Sequence, residues 1–336
     1  MRLCSNPHLY SEIGALYSTM AIRLIGANTQ PIILVDWSDL DPRKQHFLLR
    51  ASVAIDGRSL TVLEKIYTVD EKDKPDVHKA FMETLKAILP QHYQPIIVSD
   101  AGFRVPWFEL IEALGWDYVG RVRNKTMCKQ HTALPWFLTR ELYRHASTTA
   151  KSLGRYILRR KNSFECGMVI YKQMRKGRKK LTATGARSRV SSNSLSNASR
   201  EQEPWLLATS LPAEKAKQAT KVVKLYQTRM QIEESFRDLK TGLHFNESNT
   251  RTLTYLSVLL LLAMLAQYVL FLLDLAVTLT KCHLRYQANS VKTRTVLSYQ
   301  FIGLRAFKDR YLILYKSDWE AAYQEIQRLM VAPLNV

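Results

Sequence analysis

The chain has 336 residues, 46% of them hydrophobic, which is enough apolar material for a packed interior and excludes a wholly disordered chain. Its 49 Lys and Arg against 29 Asp and Glu leave a formal charge of +20, a balance that calls for a polyanionic partner, nucleic acid first. Four cysteines (Cys4, Cys128, Cys166, Cys282) stand far apart with no C-x-x-C pair, so a disulfide frame or zinc knuckle is not expected and free thiols in a reducing compartment are. The adjacent Cys282 and His283 read as two unrelated side chains, and Met1 to Met20 shows no signal-peptide pattern.

Pro31 to Val35 is a short apolar run delivering Asp36, the pattern of a buried strand with an acid at its end. His46–Ile55 and Leu60–Val69 read as two more strands joined by the hairpin turn Asp56-Gly57-Arg58. Over Pro75–Leu89 the residues Val77, Phe81, Leu85 and Ile88 recur at helical spacing, and Pro90 ends the segment. Pro95–Ser99 is a fourth strand, delivering Asp100 into the turn Ala101-Gly102-Phe103; Pro106 suits the first turn of a helix running to Leu114. Trp116–Val122 is a fifth strand. The order β-β-β-α-β-α-β predicts an α/β fold, a mixed sheet flanked by helices.

Residues 123–200 break this rhythm, with a strand expected at Met168–Tyr171 and a basic run at Arg175, Lys176, Arg178, Lys179 and Lys180. That run reads equally as a solvated loop or as a phosphate-contacting one. A strand at Trp205–Thr209 precedes a long helix over Lys217–Lys240, and the chain from Leu253 on is mostly helical. Leu256–Leu273 is nearly all apolar, but it is a single such stretch, interrupted by Ser257 and Gln267; it reads as a core helix rather than a membrane span.

At about 100° per residue, Ile232, Phe236, Leu239 and Leu243 fall within about 40° of Leu225, a buried stripe. Tyr226, Arg229, Glu233 and Lys240 fall along one edge of it, at about 40 to 100°, while Glu234 lies at about 180°. The helix alone supports two readings equally: an i,i+4 salt-bridge face, or residues lining a cleft. Asp36, Asp100 and Glu233 taken together, arriving from two strand ends and a helix, make a hard all-oxygen set suited to Mg²⁺ or Mn²⁺.

Tyr226-x-x-Arg229-x-x-x-Glu233-x-x-x-x-x-x-Lys240 resembles the Y-(2)-R-(3)-E-(6)-K signature of the IS-four family of DDE insertion-sequence transposases. The segments VDWSDL (Val35–Leu40), IVSDAGF (Ile97–Phe103), EPWLLATSLP (Glu203–Pro212) and MQIEESFRDLK (Met230–Lys240) are similar to the Tn-ten/IS-ten branch of bacterial elements. The resemblance implies a ribonuclease-H-like core, a β-rich insertion before the Glu-bearing helix and a helical C-terminal region. It implies these bounds: 1–30 as the tail of an N-terminal helical DNA-binding domain, most of which is lacking; 31–124 and 212–280 as the two halves of the catalytic core; 125–211 as the insertion with the basic loop; and 281–336 as the helical C-terminal region.

By that resemblance Asp36, Asp100 and Glu233 hold two Mg²⁺ ions, with Mn²⁺ as substitute, and Tyr226, Arg229 and Lys240 contact phosphates near the cleaved end. Trp205, from its surroundings a strand core residue, gains a competing role of stacking on an unpaired base. The implied activity is cut-and-paste cleavage and strand transfer through a hairpin, on double-stranded DNA that includes terminal repeats and target, with self-association in a paired-end complex. The expected setting is the bacterial cytoplasm, at the nucleoid, with no membrane. A truncated, non-catalytic DNA-binding remnant and a membrane-associated basic protein using Leu256–Leu273 are the competing readings.

Overall fold

The computed structural model describes residues 3–41, 43–123, 125–174, 203–247, 252–288, 290 and 296–331. Its elements make an α/β fold with a mixed sheet, flanking helices and a helical C-terminal region, as expected of a ribonuclease-H-like core. Two compact units divide the chain: Met1–Val98, Leu114–Trp116 and Gln227–Val336 form the first, Ser99–Ala113 and Asp117–Tyr226 the second.

The first unit opens with α1 (Pro7–Ile25), capped by the Asn6 side chain, which accepts from the His8 N–H, with Pro7 in the first turn. Strands β1 (Ile32–Asp39), β2 (His46–Ile55) and β3 (Arg58–Thr68) pair antiparallel, and β4 (Ile96–Ser99) lies beside β1, giving the order β3-β2-β1-β4. The β2–β3 hairpin turns at Gly57, whose φ of 76° is costly for any residue with a Cβ. Helix α2 (Pro75–Ile88) buries Phe81, Leu85 and Ile88 of the predicted stripe together with His78 and Met82, whereas Val77 is only half-buried.

Strand β1 differs from the expectation that Asp36 ends a strand. It runs on to Asp39 because Trp37, Ser38 and Asp39 still pair with Leu49, Leu48 and Phe47. Asp36 therefore sits mid-strand, directly opposite Arg50, and Arg50 in turn is opposite Glu64 of β3. Arg50 and Glu64 side chains are both 0% exposed and joined at 2.6 Å.

The second unit takes α3 (Val105–Ala113), β5 (Asp117–Val122), β6 (Met127–Lys129), β7 (Phe137–Leu138), β8 (Lys151–Leu158), β9 (Phe164–Tyr171), β10 (Trp205–Thr209) and α4 (Ala216–Gln227, its last residue counted with the first unit). Its strand order is β5-β10-β9-β8-β6-β7. Helix α3 packs on β5 where the Phe108 and Tyr118 rings stack, 4.7 Å apart. Gly120 is required there, since a Cβ would run into the Phe108 ring.

The long helix expected over Lys217–Lys240 is not continuous. Helix α4 ends at Gln227, and α5 (Met230–Arg237) begins after a tightened turn in which the Gln231 N–H donates to the Thr228 carbonyl, three residues back. A π-turn over Asp238–Gly242 follows, closed by the Leu243 N–H on the Asp238 carbonyl, five residues back. Both irregularities shift the 100° spacing on which the angular reading rests.

Helix α6 (Leu253–Leu279) contains the long apolar stretch. It is long and apolar enough to cross a membrane, yet it packs against α1, β3, α7 (Tyr299–Lys308) and α8 (Lys316–Val331), and it buries Gln267 and Asp274. The four cysteines are free thiols, three of them buried.

Candidate active site

Asp36 reaches out of the paired middle of β1 with its carboxylate anchored by its own strand: the Trp37 N–H donates to Oδ1 at 2.8 Å. The next side chain is fixed as well. Trp37 donates from Nε1 to His78 Nε2 at 3.0 Å, and burial lowers the imidazole's pKa, which keeps it neutral and able to accept. The second Asp36 oxygen lies 3.3 Å from Arg229 Nη1, and the other end of the same guanidinium lies 2.7 Å from Glu233 Oε1. One cation thus joins the two acids, with Asp36 13% and Glu233 45% exposed.

Arg229 stands in the turn before α5 with helical dihedrals, one turn ahead of Glu233 at i,i+4 spacing. Glu234 leaves the opposite edge of α5, where it faces Arg58 of β3 at 3.5 Å and pairs with Arg237. The expectation that it points to the far side is corrected to this extent: it flanks the buried face of Ile232, Ser235 and Phe236 on the side away from Asp36. Lys240, in the π-turn, donates to Asp39 Oδ1 at 2.9 Å, and this bond holds the Asp39 carboxyl below its ordinary value. Asp36 and Asp39, three residues apart on β1, are in this way tied to Arg229 before α5 and to Lys240 after it.

Asp100 belongs to the second unit, in the turn after β4. Its Oδ1 accepts from the Gly102 N–H at 2.6 Å, an Asx-type turn that orients the carboxylate, and a Cβ at Gly102 would press on that oxygen. Among the described residues no three His, Cys, Asp or Glu side chains are grouped so as to hold a metal ion.

Trp205 and Tyr226 meet edge-on at 4.9 Å, with Tyr171 on the other side of Trp205 at 5.7 Å. Tyr226 is buried, whereas the angular reading put it at the rim of a cleft. Arg175, Lys176, Arg178, Lys179 and Lys180 lie outside the described residues.

An open cavity of roughly 1480 Å³ in the second unit went unnoticed in the sequence. Arg104, Arg121, Arg123, Lys125, Arg159 and Arg160 line it, with Glu203 as the one acid among the lining residues. Glu203 takes Arg121 at 3.0 Å, Arg123 at 2.5 Å and the Tyr143 hydroxyl at 2.9 Å. Burial pushes its carboxyl up, but those hydrogen bonds and charges outweigh burial and hold it below its ordinary value. The cluster Arg121, Arg123 and Lys125 at the end of β5 was the legible signal, with Arg121 on the strand and the other two just past it. An enclosure so dominated by guanidinium groups suits the phosphates of a nucleic-acid strand.

A family model described as a transposase DDE domain matches residues 27–269, over two thirds of the chain. No curated protein matches the chain significantly.

Proposed function

The chain belongs to the DDE transposase family, and from that premise we propose that it is the transposase of an insertion sequence in the IS-four family, Tn-ten/IS-ten branch, with Asp36, Asp100 and Glu233 as its metal-holding acids. The observation that carries the assignment is the shared guanidinium: Asp36 and Glu233 already direct oxygens at one cation, held by Arg229. The donor set, carboxylate oxygen throughout, suits a hard divalent ion. Held by these acids, two Mg²⁺ ions, or Mn²⁺ in their place, would polarise the scissile phosphate and would make a nucleophilic oxygen accessible at neutral pH.

The chain's own residues do the rest. Arg229, once exchanged from the acids, is placed to pair with a phosphate oxygen, and Lys240 can leave Asp39 for the same purpose. Water attacks phosphorus, the P–O3′ bond breaks and the 3′ oxygen leaves as a hydroxyl; that hydroxyl attacks a phosphodiester of the opposite strand, closing a hairpin on the element's end and releasing the 3′ hydroxyl of the flanking DNA. A second water opens the hairpin phosphodiester and frees the 3′ hydroxyl again, which attacks a target phosphodiester and displaces a 3′ hydroxyl of the target strand. Tyr226 and Trp205 offer an aromatic pair beside which an unpaired base can stack. The cavity lined by Arg121, Arg123 and Lys125, together with the basic run from Arg175 to Lys180, tracks the backbone. In this reading the insertion spans 125–211 between core halves 31–124 and 212–280, two copies act on paired ends, and the work is done at the nucleoid.

The test is cleavage of a pre-nicked duplex carrying the element's terminal sequence, with Mg²⁺ or Mn²⁺. Metal-dependent product that vanishes in Asp100→Ala is the expected result. Bound DNA with no product from the unsubstituted protein would instead identify a DNA-binding remnant.

A further inference from the structure

The row Asp36, Arg50, Glu64 crosses β1, β2 and β3 in register, an acid, a base and an acid directly opposite one another. Residues paired in this way share one face of the sheet, and α5 packs against all three strands. The Arg50 guanidinium is hydrogen-bonded on two sides and ion-paired on the third. Nε donates to Glu64 Oε2 at 2.7 Å, Nη2 lies 2.6 Å from the same oxygen, and Nη1 donates to Ser235 Oγ at 3.0 Å.

Its plane also sits over the Phe236 ring, 5.0 Å from the centroid. Ser235 Oγ, accepting from Arg50, donates to the Ile232 carbonyl at 3.0 Å, so the hydroxyl is fixed in both senses. Tyr17 of α1 closes the far end by donating to Glu64 Oε1 at 3.2 Å. Ser235 is two residues past Glu233.

A buried ion pair is a poor source of stability, because desolvating two charges offsets their attraction; apolar replacements of similar volume are commonly neutral or better. What the pair supplies is position. Ile232, Phe236 and Leu239 hold α5 on the sheet by contacts that tolerate sliding, whereas the Arg50–Ser235 bond fixes the helix along its axis against the strand opposite β1. Acids that must converge on one ion tolerate errors of only about 0.5 Å.

We propose that Arg50, held by Glu64, is a positioning residue that registers α5 against the sheet so that Glu233 meets Asp36; the inference rests on the reading of those two acids as metal ligands. The test is a Mn²⁺ binding isotherm on the full chain without DNA, followed by the paramagnetic signal of free Mn²⁺, with thermal unfolding run alongside. Ser235→Ala, a small truncation that leaves the ion pair intact, should bind Mn²⁺ about tenfold more weakly, the scale typical of groups that orient ligands. Ser235→Thr, which keeps the hydroxyl, should restore it. Arg50→Met with Glu64→Leu should unfold near the original temperature and bind Mn²⁺ at least as weakly as Ser235→Ala.

Unchanged affinity in Ser235→Ala, or a Ser235→Thr protein as weak as Ser235→Ala, would overturn the proposal. An unsubstituted protein without a Mn²⁺ site that Asp36→Asn removes would overturn the ligand reading itself, and the positioning role with it.

Discussion

Glu233 and Glu234 are neighbours in the chain but leave α5 on opposite edges, one toward Arg229 and Asp36, the other toward Arg58. Glu233→Ala should abolish metal-dependent cleavage while DNA binding, read by filter retention, stays near its original level. Glu234→Ala removes partly exposed ion pairs, worth about 0–1 kcal/mol, and cleavage should persist. Equal losses from the two changes would sink the assignment.

Asp274, inside α6, makes a prediction of another kind. Burial pushes its carboxyl up from 3.8 to about 7, and the Arg58 charge only partly offsets this. Because the folded value exceeds the unfolded one, the folded protein holds a proton that the unfolded chain releases. The contribution is fully present below pH about 4 and is lost as pH rises toward 7. At about 1.4 kcal/mol per unit the loss is on the order of 4 kcal/mol. Asp274→Asn should flatten that decline and raise the unfolding temperature at pH 8; a larger decline in the variant would refute the burial argument.

At this scale much of the candidate site was legible. Asp36 and Asp100 stood out as acids at the ends of apolar runs, and Glu233 through its helical angle beside the buried stripe and its place in the Tyr226, Arg229, Lys240 signature. Arg50 was not, since an arginine within HFLLRASVAI carries no sign that its charge is buried; that depends on Glu64 arriving opposite it through the β2–β3 register.

Among the elements, the π-turn at Asp238–Gly242 carries the most specific consequence. It holds Lys240 against Asp39, and it closes only because Gly242 leaves room for Gln300, whose amide donates to the Asp238 carbonyl at 3.3 Å. A Cβ on Gly242 would collide with the Gln300 amide, so Gly242→Ala should cost about 1–3 kcal/mol in denaturant unfolding. Trimming the obstacle in a Gly242→Ala, Gln300→Ala double variant should recover part of that loss. Strict additivity of the two losses would mean that the contact is not the cause.

The regular elements were legible where one period dominated: the apolar stripe of α2 and the paired runs of β2 and β3 match their expected spans closely. The tightened turn at Thr228 and the π-turn were not. Neither contains a proline, and the hydrogen bonds that define them depend on packing rather than on local preference.

For the molecule as a whole, the +20 charge is a statement about salt. Each phosphate neutralised on duplex DNA contributes about −0.9 to the slope of log affinity against log salt concentration. Lys125→Ala or Arg160→Ala, at the cavity of the second unit, should lower affinity on any sequence and make that slope shallower by about 1. An unchanged slope would remove the cavity from the path of the DNA.

The discontinuity of the first unit bears on the order in which the protein is made. The second unit is nearly one stretch, complete once Tyr226 has left the ribosome, whereas the first waits on Gln227–Val336. Arg50 meets a partner 185 residues downstream in Ser235, and Asp39 one 201 residues downstream in Lys240. A nascent chain halted at Tyr226 therefore displays Asp36 with neither Glu233 nor Arg229 beside it. Translation itself keeps the two acids apart until the final third of the polypeptide begins to emerge.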